Sequence, residues 1–497
     1  MNLREGLVAL SSASALLLRM SNLPTFIQVI ILMAVVITLF NIIIFVHELG
    51  HFWAAKWRGL QIDRFQIWFG KPIWKKEVNG VQYGLGWIPA GGFVALPQMA
   101  PMESIEGGSK PEKTLPAITP LDKIIVAFAG PLFSLLLALL SAVFVWKIGK
   151  PKDFNPSQEI GYVEKDSPAA KAGLLPGDKI KAINGQEVHG FAGSLDSISE
   201  RIILSRGDKI TFLVEREGHS APLELVSGFE TGDTNWFQRL VRFKRGELRQ
   251  VGIDSARPLI VADVSKNSPA ADVGLAKGDR LVAIDGIKLH SRMQFAMYLK
   301  EKQWQSVKLT VTSPDGKTRE VEVTPEKPVK PADRDPMVGI AWDISSEIDT
   351  RIVHPGPIQQ VTDSLNMMWV TITSVIAPDS SIGVDHLSGP VGIAKMQYHL
   401  LQTEDGWRRI LAFMVLFNVN LAVLNMMPFP VLDGGHITLA LLEKISGRPV
   451  KAKALEILQT ACALLLISLM LFVTTTDIGD SFGGGSNGDQ EIIFPAN

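Results

Sequence analysis

The chain has 497 residues, enough for about three domains of ordinary size, so a single compact core is not expected. Its 49 Lys and Arg residues and 50 Asp and Glu residues leave a net charge of −1, which argues against nucleic-acid binding through a general basic surface. Only 20% of residues are charged and the mean hydropathy is +0.20, which favours a membrane protein over a disordered or ordinary soluble one. Cys462 is the single cysteine, so any metal site must use His and carboxylate ligands.

The first predicted elements are an N-terminal extension, residues 1–23, without an assigned role, and a transmembrane helix, residues 24–58. The window from Met20 to Val46 contains no Asp, Glu, Lys or Arg and is long enough to cross about 30 Å of hydrocarbon. Three more windows of this kind predict transmembrane helices at 121–147, 408–436 and 453–476. The alternative for all four is a set of buried helices in a soluble protein.

The inner end of the first predicted span carries the sequence His47-Glu48-Leu49-Gly50-His51. Residues four apart share one face of a helix, so both imidazoles can bind one Zn²⁺ while Glu48 points toward a metal-bound water. The alternative is a charged helix end that rests among the lipid headgroups. Because polar side chains are costly in a membrane, we interpret the cluster as functional.

Residues 59–120 are predicted to form a cytoplasmic-side loop that contains a re-entrant β-hairpin, residues 81–96. The uncharged stretch from Val78 to Met102 has too many Gly and Pro residues for a spanning helix. Short strands are predicted at Val81 to Tyr83 and Gly92 to Leu96, around a Pro-Ala-Gly-Gly turn. Such backbone is tolerated at membrane depth only where protein buries it or water lines it, and an ordinary surface loop is the alternative.

The short loops between the first two spans and between the last two are rich in Lys and Arg, which predicts that both are cytoplasmic. The long segment between the second and third spans, Lys147 to Arg409, and both termini are then expected on the extracytoplasmic side. It contains a repeat: the 22 residues from Ser167 and the 22 from Ser268 are identical at 11 positions, at a constant offset of 101. This spacing predicts two tandem domains.

Each copy has a short Pro-Ala-Ala-x-x-Gly-Leu helix, a Gly-Asp pair, a strand and an Asn-Gly or Asp-Gly turn. The pattern resembles the PDZ domain in its bacterial, protease-associated form, and we place the two domains at 157–250 and 251–328. The resemblance implies mainly β domains with short helices, and an exposed strand edge that binds an extended peptide by strand addition. A rigid steric cover is the alternative role for the pair.

Residues 329–407 are predicted to hold a linker and interfacial helices, among them an amphipathic stretch from Val361 to Pro378. The third span is expected to carry the motif Asn425-Met-Met-Pro-Phe-Pro-Val-Leu-Asp433-Gly-Gly-His436 at its end, where two prolines stop the helix and two glycines let the backbone turn closely. Residues 477–497 are predicted to be a flexible tail. Because the first and third spans both run from outside to inside, Asp433 should arrive at the depth of His47 and His51, where it would supply a third metal ligand.

Two further polar residues of this motif need an interpretation. Asn425 could donate a hydrogen bond to the oxyanion of a tetrahedral intermediate or to the substrate backbone, and the alternative is a hydrogen bond between helices. His436 follows the Gly pair, and we expect it to support a ligand or to face solvent, not to bind the metal itself.

Together these features resemble the site-2 protease family of intramembrane zinc metalloproteases, above all its RseP-type bacterial members. The resemblance covers roughly Pro24 to Val473 and includes the segment Ser388-Gly-Pro-Val-Gly-Ile-Ala394. It implies a multi-spanning α-helical membrane protein with four transmembrane helices, a re-entrant β-hairpin and two extracytoplasmic PDZ domains. One departure is Ser134, where these proteins usually have Asn, so no role is assigned to that position.

The resemblance also implies the chemistry of the site. It implies one Zn²⁺ per chain held by His47, His51 and Asp433, with Glu48 as general base and Asn425 aiding substrate binding or the transition state. The substrate's transmembrane helix must unwind before attack, and the predicted hairpin offers a strand edge to hold it, at Gly91, Gly92, Phe93 and Val94.

The expected partners are the lipid bilayer and single-pass membrane proteins resembling anti-sigma factors, cut after another protease has shortened them, and no nucleic acid. The expected location is the bacterial inner membrane, with the active site near its cytoplasmic side. Two other classes stay open: a catalytically silent membrane scaffold with PDZ domains, and a metal transporter. A transporter should show a polar path across the whole bilayer.

Overall fold

The computed structural model describes residues 24–99, 118–230, 245–330, 334–343, 349–447 and 452–483, together with Phe494. The predicted N-terminal extension, residues 1–23, lies outside the described residues. The chain divides into two compact units: Met1–Pro151 with Ile352–Ile372 and Leu387–Ile478, and Lys152–Arg351 with Thr373–His386 and Gly479–Asn497.

The described residues form helices and strands that are labelled here in chain order. The helices are α1 (Thr25–Trp57), α2 (Pro120–Ile148), α3 (Pro168–Lys171), α4 (Ile198–Leu204), α5 (Pro269–Asp272), α6 (Arg292–Glu301), α7 (Pro357–Ile376), α8 (Pro390–Gln402), α9 (Gly406–Asn425), α10 (Asp433–Ser446) and α11 (Ala452–Gly483). The strands are β1 (Arg64–Val78), β2 (Val81–Ala95), β3 (Lys150–Phe154), β4 (Ile160–Val163), β5 (Lys179–Ile183), β6 (Gln186–Glu187), β7 (Ile210–Glu215), β8 (Leu223–Ser227), β9 (Ile253–Ser255), β10 (Leu259–Val264), β11 (Arg280–Ile284), β12 (Ile287–Lys288), β13 (Val307–Thr312), β14 (Thr318–Val323), β15 (Ile340–Trp342) and β16 (Asp349–Val353).

The first unit contains the apolar helices. Within the described part of the chain, four helices are long and apolar enough to cross a membrane: α1, α2, α9 and α11. Their most apolar windows have mean hydropathies of 3.1, 2.4, 1.5 and 2.3. Helix α9 has 20 residues, so at 1.5 Å per residue it spans about 30 Å, the thickness of the hydrocarbon core. The four apolar helices expected from the sequence are therefore present.

The third of these helices ends earlier than the sequence predicts. The prediction placed Asp433 at the end of a span running from 408 to 436, but α9 ends at Asn425 and Asp433 begins a separate helix, α10. Pro428 and Pro430 lie between the two helices, and because proline lacks a backbone N–H and clashes with the preceding turn, the helix cannot continue through them. Asp433 therefore lies at a helix N-terminus after a sharp change of direction.

Strands β1 and β2 form an antiparallel sheet of two 15-residue strands. The hairpin turn is Asn79-Gly80, and both residues have a positive φ, as tight hairpin turns require. The start of β1 is paired on both sides, because Arg64 is opposite both Gln82 and Ala95. The two ends of β2 thus flank the same segment of β1.

This arrangement corrects the predicted hairpin at 81–96. Val81 to Tyr83 and Gly92 to Leu96 do not pair with each other, because the start of β1 lies between them, and the Pro-Ala-Gly-Gly segment is not their turn. The sequence reading missed β1, whose residues alternate only weakly between apolar and polar. The Val-Asn-Gly-Val sequence at 78–81 was the available signal, since Asn-Gly between β-forming residues favours a two-residue hairpin.

The second unit contains two β-rich modules built from the repeated sequence. The first module comprises β4 to β9 with α3 and α4, and the second comprises β10 to β15 with α5 and α6. In each, a serine caps the short helix: Ser167 accepts a hydrogen bond from Ala170 N, and Ser268 accepts one from Ala271 N. Equivalent repeat positions also fill the two separate cores: Ala169, Leu174, Ile180 and Ile183, and then Ala270, Leu275, Leu281 and Ile284.

The predicted boundaries of both modules end too early. The first was placed at 157–250, but β9 pairs with β4. The second was placed at 251–328, but β15 pairs with β10. In both cases the final strand returns to the first strand of its own module, a contact between residues distant in the sequence that a motif search does not detect.

In each module, the aspartate of the Gly-Asp pair after the short helix is buried and forms an ion pair with an arginine. Asp178 is 1% exposed and accepts two hydrogen bonds from Arg216, from Nε at 2.6 Å and from Nη2 at 2.7 Å. Asp279, which is 3% exposed, accepts one at 2.8 Å from Arg319, whose side chain is 42% exposed. The first module therefore has the more buried, bidentate ion pair.

We expect Asp178→Ala to destabilise the first module by about 3 kcal/mol, because it leaves a partly buried guanidinium without its carboxylate. The matched variant Asp279→Ala should cost less, about 1–2 kcal/mol, since water already solvates Arg319. Hydrogen exchange of the full-length protein in detergent measures both losses, each within its own module. A larger loss of protection for Asp279→Ala would contradict this ranking.

The predicted flexible tail, 477–497, is helical at its start, because α11 continues to Gly483. Asp477 is buried and accepts hydrogen bonds from the backbone N–H groups of Gly389 and Gly392, at the first turn of α8. A carboxylate at a helix N-terminus is stabilised by the free N–H groups there. Apart from Phe494, residues 484–497 lie outside the described residues.

Candidate metal and active site

The imidazoles of His47 and His51 lie one turn apart on α1, and α2 orients both of them. His51 Nδ1 lies 2.8 Å from the carbonyl oxygen of Val126. Because a carbonyl only accepts hydrogen bonds, this nitrogen carries the proton and leaves Nε2 with a free lone pair. His47 Nδ1 lies 3.0 Å from Ser134 Oγ, which can accept in the same way. The two Nε2 atoms are 3.3 Å apart and face the same space.

One face of α2 contacts the end of α1, through residues that are spaced four apart: Asp122, Val126, Gly130 and Ser134. Asp122 at its first turn forms an ion pair with Arg58 just after the end of α1, at 2.6 Å. Gly130 lies between the levels of the two imidazoles, and a Cβ atom there would lie 2.2 Å from His51 Nε2. Glycine therefore lets α2 approach α1 closely enough for Ser134, one turn further, to contact His47.

Asp433 at the start of α10 completes a group of three possible metal ligands. Its Oδ2 lies 3.3 Å from His47 Nε2 and its Oδ1 lies 3.4 Å from His51 Nε2. Such a group of ligand atoms could hold a metal ion. Zinc with bonds of about 2.05 Å in a tetrahedron separates its ligand atoms by roughly 3.3 Å, so the spacing fits this metal. The convergence of two lone pairs on a carboxylate also calls for a cation between them.

All nine site residues predicted from the sequence line one cavity of about 380 Å³. Besides the three possible ligands, these are Glu48, Asn425, Gly91, Gly92, Phe93 and Val94. A Cβ atom on Gly92 would lie 3.2 Å from Glu48 Cγ, so the last part of β2 runs directly beside this carboxylate. Most of the other lining residues are apolar.

Asn425, the last residue of α9, has its Nδ2 atom 3.4 Å from His47 Nε2. Its amide therefore lies beside the possible metal position, at the edge of the cavity. Asn418, two turns earlier, is buried and donates to the Met414 carbonyl of its own helix. His436 also lines the cavity, and its Nε2 atom is buried without a hydrogen-bond partner among the described residues.

Ser134 is the residue that the sequence analysis left without a role and that the structure places against His47. We expect Ser134→Ala to weaken zinc binding by roughly 10–100-fold, the usual effect of removing the hydrogen-bond partner of a metal-binding histidine. Chelator competition on the purified protein measures this affinity. The control is Ser141→Ala, since Ser141 is also buried on α2. Equal zinc affinity for Ser134→Ala and the wild type would contradict the orienting contact.

Comparison with known families agrees with this geometry. The family model described as Peptidase family M50 matches residues 34–469, most of the chain. The chain belongs to peptidase family M50. As an M50 peptidase of the site-2 protease type, it is a zinc metalloprotease, and its described residues include four candidate membrane spans.

Three relatives resemble this M50 peptidase along nearly their whole length. The "Regulator of sigma-E protease RseP" of Salmonella typhimurium is 27% identical over 456 residues, which cover 88% of this chain and 96% of that one. The protein of the same name from Escherichia coli K12 is 27% identical over 455 residues, with coverages of 86% and 94%. The "Putative zinc metalloprotease PM1991" of Pasteurella multocida is 29% identical over 456 residues, with coverages of 89% and 97%.

Among solved structures, this M50 peptidase is similar to the PDZ domain of the SdrC-like protein from Listeria monocytogenes, with 27% identity. The match covers 18% of the M50 peptidase and 88% of the PDZ domain structure, with a TM-score of 0.16.

Several residues around the site were not found from the sequence. The Val126 carbonyl and Gly130 act through the backbone and through the lack of a side chain, so no motif marks them. The spacing of Asp122, Val126, Gly130 and Ser134 was a usable signal, because residues four apart on α2 face one neighbour. Phe69 of β1 lines the cavity as well, and it was missed together with its strand.

Proposed function

We propose that this protein is an intramembrane protease that hydrolyses a peptide bond within the membrane-spanning segment of single-pass membrane proteins. The observation that carries the proposal is the convergence of His47 and His51, both on α1, with Asp433 at the start of α10, beside Glu48 in one cavity. A protease site built on membrane-spanning helices is accessible to substrates from within the lipid.

His47, His51 and Asp433 would hold one zinc ion per chain. Two imidazoles and one carboxylate make a three-ligand catalytic set, which leaves the fourth tetrahedral position open for water or substrate. The bound ion would polarise the scissile carbonyl and lower the pKa of a water molecule toward about 7.

Glu48 acts as the general base. It lies next to His47 in the chain and lines the cavity close to Gly92 of β2. It accepts a proton from the attacking water as the water oxygen bonds to the carbonyl carbon. The C–N bond then breaks, and the same carboxyl group returns the proton to the leaving amine.

Asn425 binds the substrate near the reacting carbonyl. Its side-chain amide has two N–H donors, and Nδ2 lies within 3.4 Å of His47 Nε2. A donor fixed at this place can bind the carbonyl oxygen or the negative charge that develops on it in the transition state.

The segment Gly91, Gly92, Phe93 and Val94 holds the unwound substrate as an added strand. A helical substrate hides its carbonyl groups in its own hydrogen bonds, so it must extend before it can be attacked. This end of β2 pairs with the start of β1 and lines the catalytic cavity. Backbone hydrogen bonds to β2 would replace those that the substrate helix loses on unwinding.

The two modules act as tandem PDZ domains on the extracytoplasmic side of the bacterial inner membrane, while the active site lies near the cytoplasmic side. The Lys-rich and Arg-rich short loops support this orientation. We propose that the modules exclude intact substrates and admit membrane stubs that another protease has shortened. The names of the relatives mention regulation of sigma-E, so the proposed substrates resemble anti-sigma factors.

The test is cleavage of synthetic single-span peptides by the purified full-length protein in detergent or nanodiscs. We expect cleavage within the membrane-spanning segment, loss of cleavage on chelation of zinc and recovery when zinc is added back. A matched peptide with one or more prolines and glycines at its centre should be cleaved faster, because its helix unwinds more easily. Cleavage that persists after zinc has been removed would refute the proposal.

A further inference from the structure

Trp68 adopts a backbone conformation that a bulky residue rarely takes. Its φ is 67°, in the left-handed region that glycine and asparagine occupy far more often. It lies in an irregular part of β1, between Ile67 and Pro72, where the pairing with β2 shifts register. Such conformations persist only where neighbouring contacts stabilise them, and they cluster at functional sites.

Two polar side chains hold this irregular part of β1. Trp68 Nε1 donates a hydrogen bond of 2.6 Å to Oδ1 of Asn41, which lies on α1 six residues before His47. Gln66 Nε2 donates to the carbonyl oxygens of both Trp68 and Gly70, each at 2.9 Å. An amide in a membrane-spanning helix needs partners, and Asn41 also donates to the Ile37 carbonyl of its own helix.

The irregular segment continues directly into the substrate-facing end of the sheet. Phe69, the next residue, stacks on Phe93 with ring centroids 6.3 Å apart and an angle of 5° between the rings. A Cβ atom on Gly91 would lie 2.0 Å from Phe69 Cε2, so the Phe69 ring covers this glycine. Contacts therefore lead from Asn41 through Trp68 and Phe69 to the strand edge beside Glu48.

Both ends of this series of contacts lie on α1. Asn41 and Glu48 are seven residues apart, about 10.5 Å along the helix axis, and the helix keeps this separation constant. A strand advances by about 3.3 Å per residue. If the sheet were displaced along its strands by that distance, the neighbouring peptide bond of a substrate bound to β2 would lie at the metal site.

We propose that the Asn41–Trp68 hydrogen bond sets the depth of the β1–β2 sheet relative to the metal ligands and thereby determines which peptide bond of a substrate is cleaved. The inference rests on the proposed protease function and deepens it. Asn41 and Trp68 are positioning residues, since neither of them lines the catalytic cavity.

The experiment compares Trp68→Phe and Asn41→Leu in the full-length protein. The first replaces the indole with a phenyl ring that has no N–H donor, and the second replaces the amide with an apolar side chain of the same branching and number of heavy atoms. The probe is a synthetic single-span peptide that the wild-type protein cleaves at one bond, and mass spectrometry identifies the products. Cleavage at that bond should fall on the order of tenfold, and new products one or two residues away should appear.

Zinc content should equal that of the wild type in both variants, because neither residue contacts a possible ligand. The double variant should match the single variants, since all three remove the same hydrogen bond. The control is Trp74→Phe, because Trp74 is an exposed residue of the same strand.

Three results would overturn the proposal: an unchanged product pattern in both variants, slower cleavage at the original bond alone, or loss of zinc. Loss of zinc would show that Asn41 and Trp68 are needed to assemble the metal site. A wild-type protein whose cleavage does not depend on zinc would instead refute the proposed function, so the two failures are distinguishable.

Discussion

Glu48→Gln should lower the cleavage rate by roughly 10²–10⁴-fold while leaving the zinc content unchanged. The amide has nearly the shape of the carboxylate but cannot accept a proton from the attacking water. Since Glu48 is not one of the three converging ligand atoms, the variant should still bind zinc. The loss corresponds to about 3–5 kcal/mol of transition-state stabilisation. Single-turnover cleavage and metal analysis of the same sample measure both properties.

The control for this variant is Glu404→Gln, which makes the same chemical change in the loop before α9, outside the cavity. It should cleave at the wild-type rate. Cleavage by Glu48→Gln within threefold of the wild-type rate would show that another group accepts the proton, and the assignment of the general base would be wrong.

Asp433→Ala should remove both zinc and activity. It leaves two imidazoles and takes away the negative charge that balances the cation. The loss of affinity should exceed the roughly 100-fold that removal of an outer hydrogen-bond partner causes, because a direct ligand is lost. Chelator competition measures the affinity, and peptide cleavage should fall below detection.

Asp363→Ala is the matched control, since Asp363 is exposed on α7. It should keep the zinc and activity of the wild type. Full zinc occupancy in Asp433→Ala at a nanomolar concentration of free zinc would show that the third ligand lies elsewhere. The proposal that α1 and α10 bind one ion together would then be wrong.

The sequence predicts which of these residues lie together where this depends on local spacing. His47 and His51 share a face because they lie four apart on one helix, and the predicted common direction of the first and third spans places Asp433 near them, where the structure has it. The repeat likewise predicts two similar modules, since each copy contains its own cap, turn and core residues.

Contacts between distant backbone segments were not predictable in the same way. The pairing of both ends of β2 with the start of β1 depends on long-range closure, which no local pattern encodes. The predicted span of 408–436 ends later than α9 because uncharged residues continue past Asn425, although the two prolines of the motif indicate a stop. Ser134 and Asn41 are single polar residues whose partners become known only from the packing of helices and sheet.

X-ray absorption at the zinc edge tests most directly whether one zinc ion joins residues 386 positions apart, from His47 to Asp433. The wild-type protein should show two imidazole nitrogens at about 2.0–2.1 Å with oxygen ligands at about 2.0–2.2 Å. In Asp433→Ala loaded with excess zinc, the outer-shell carbon signal of the carboxylate should be lost, with water as the oxygen ligand and both imidazoles retained. A zinc environment that is the same in the two proteins, or one without imidazole, would contradict the account.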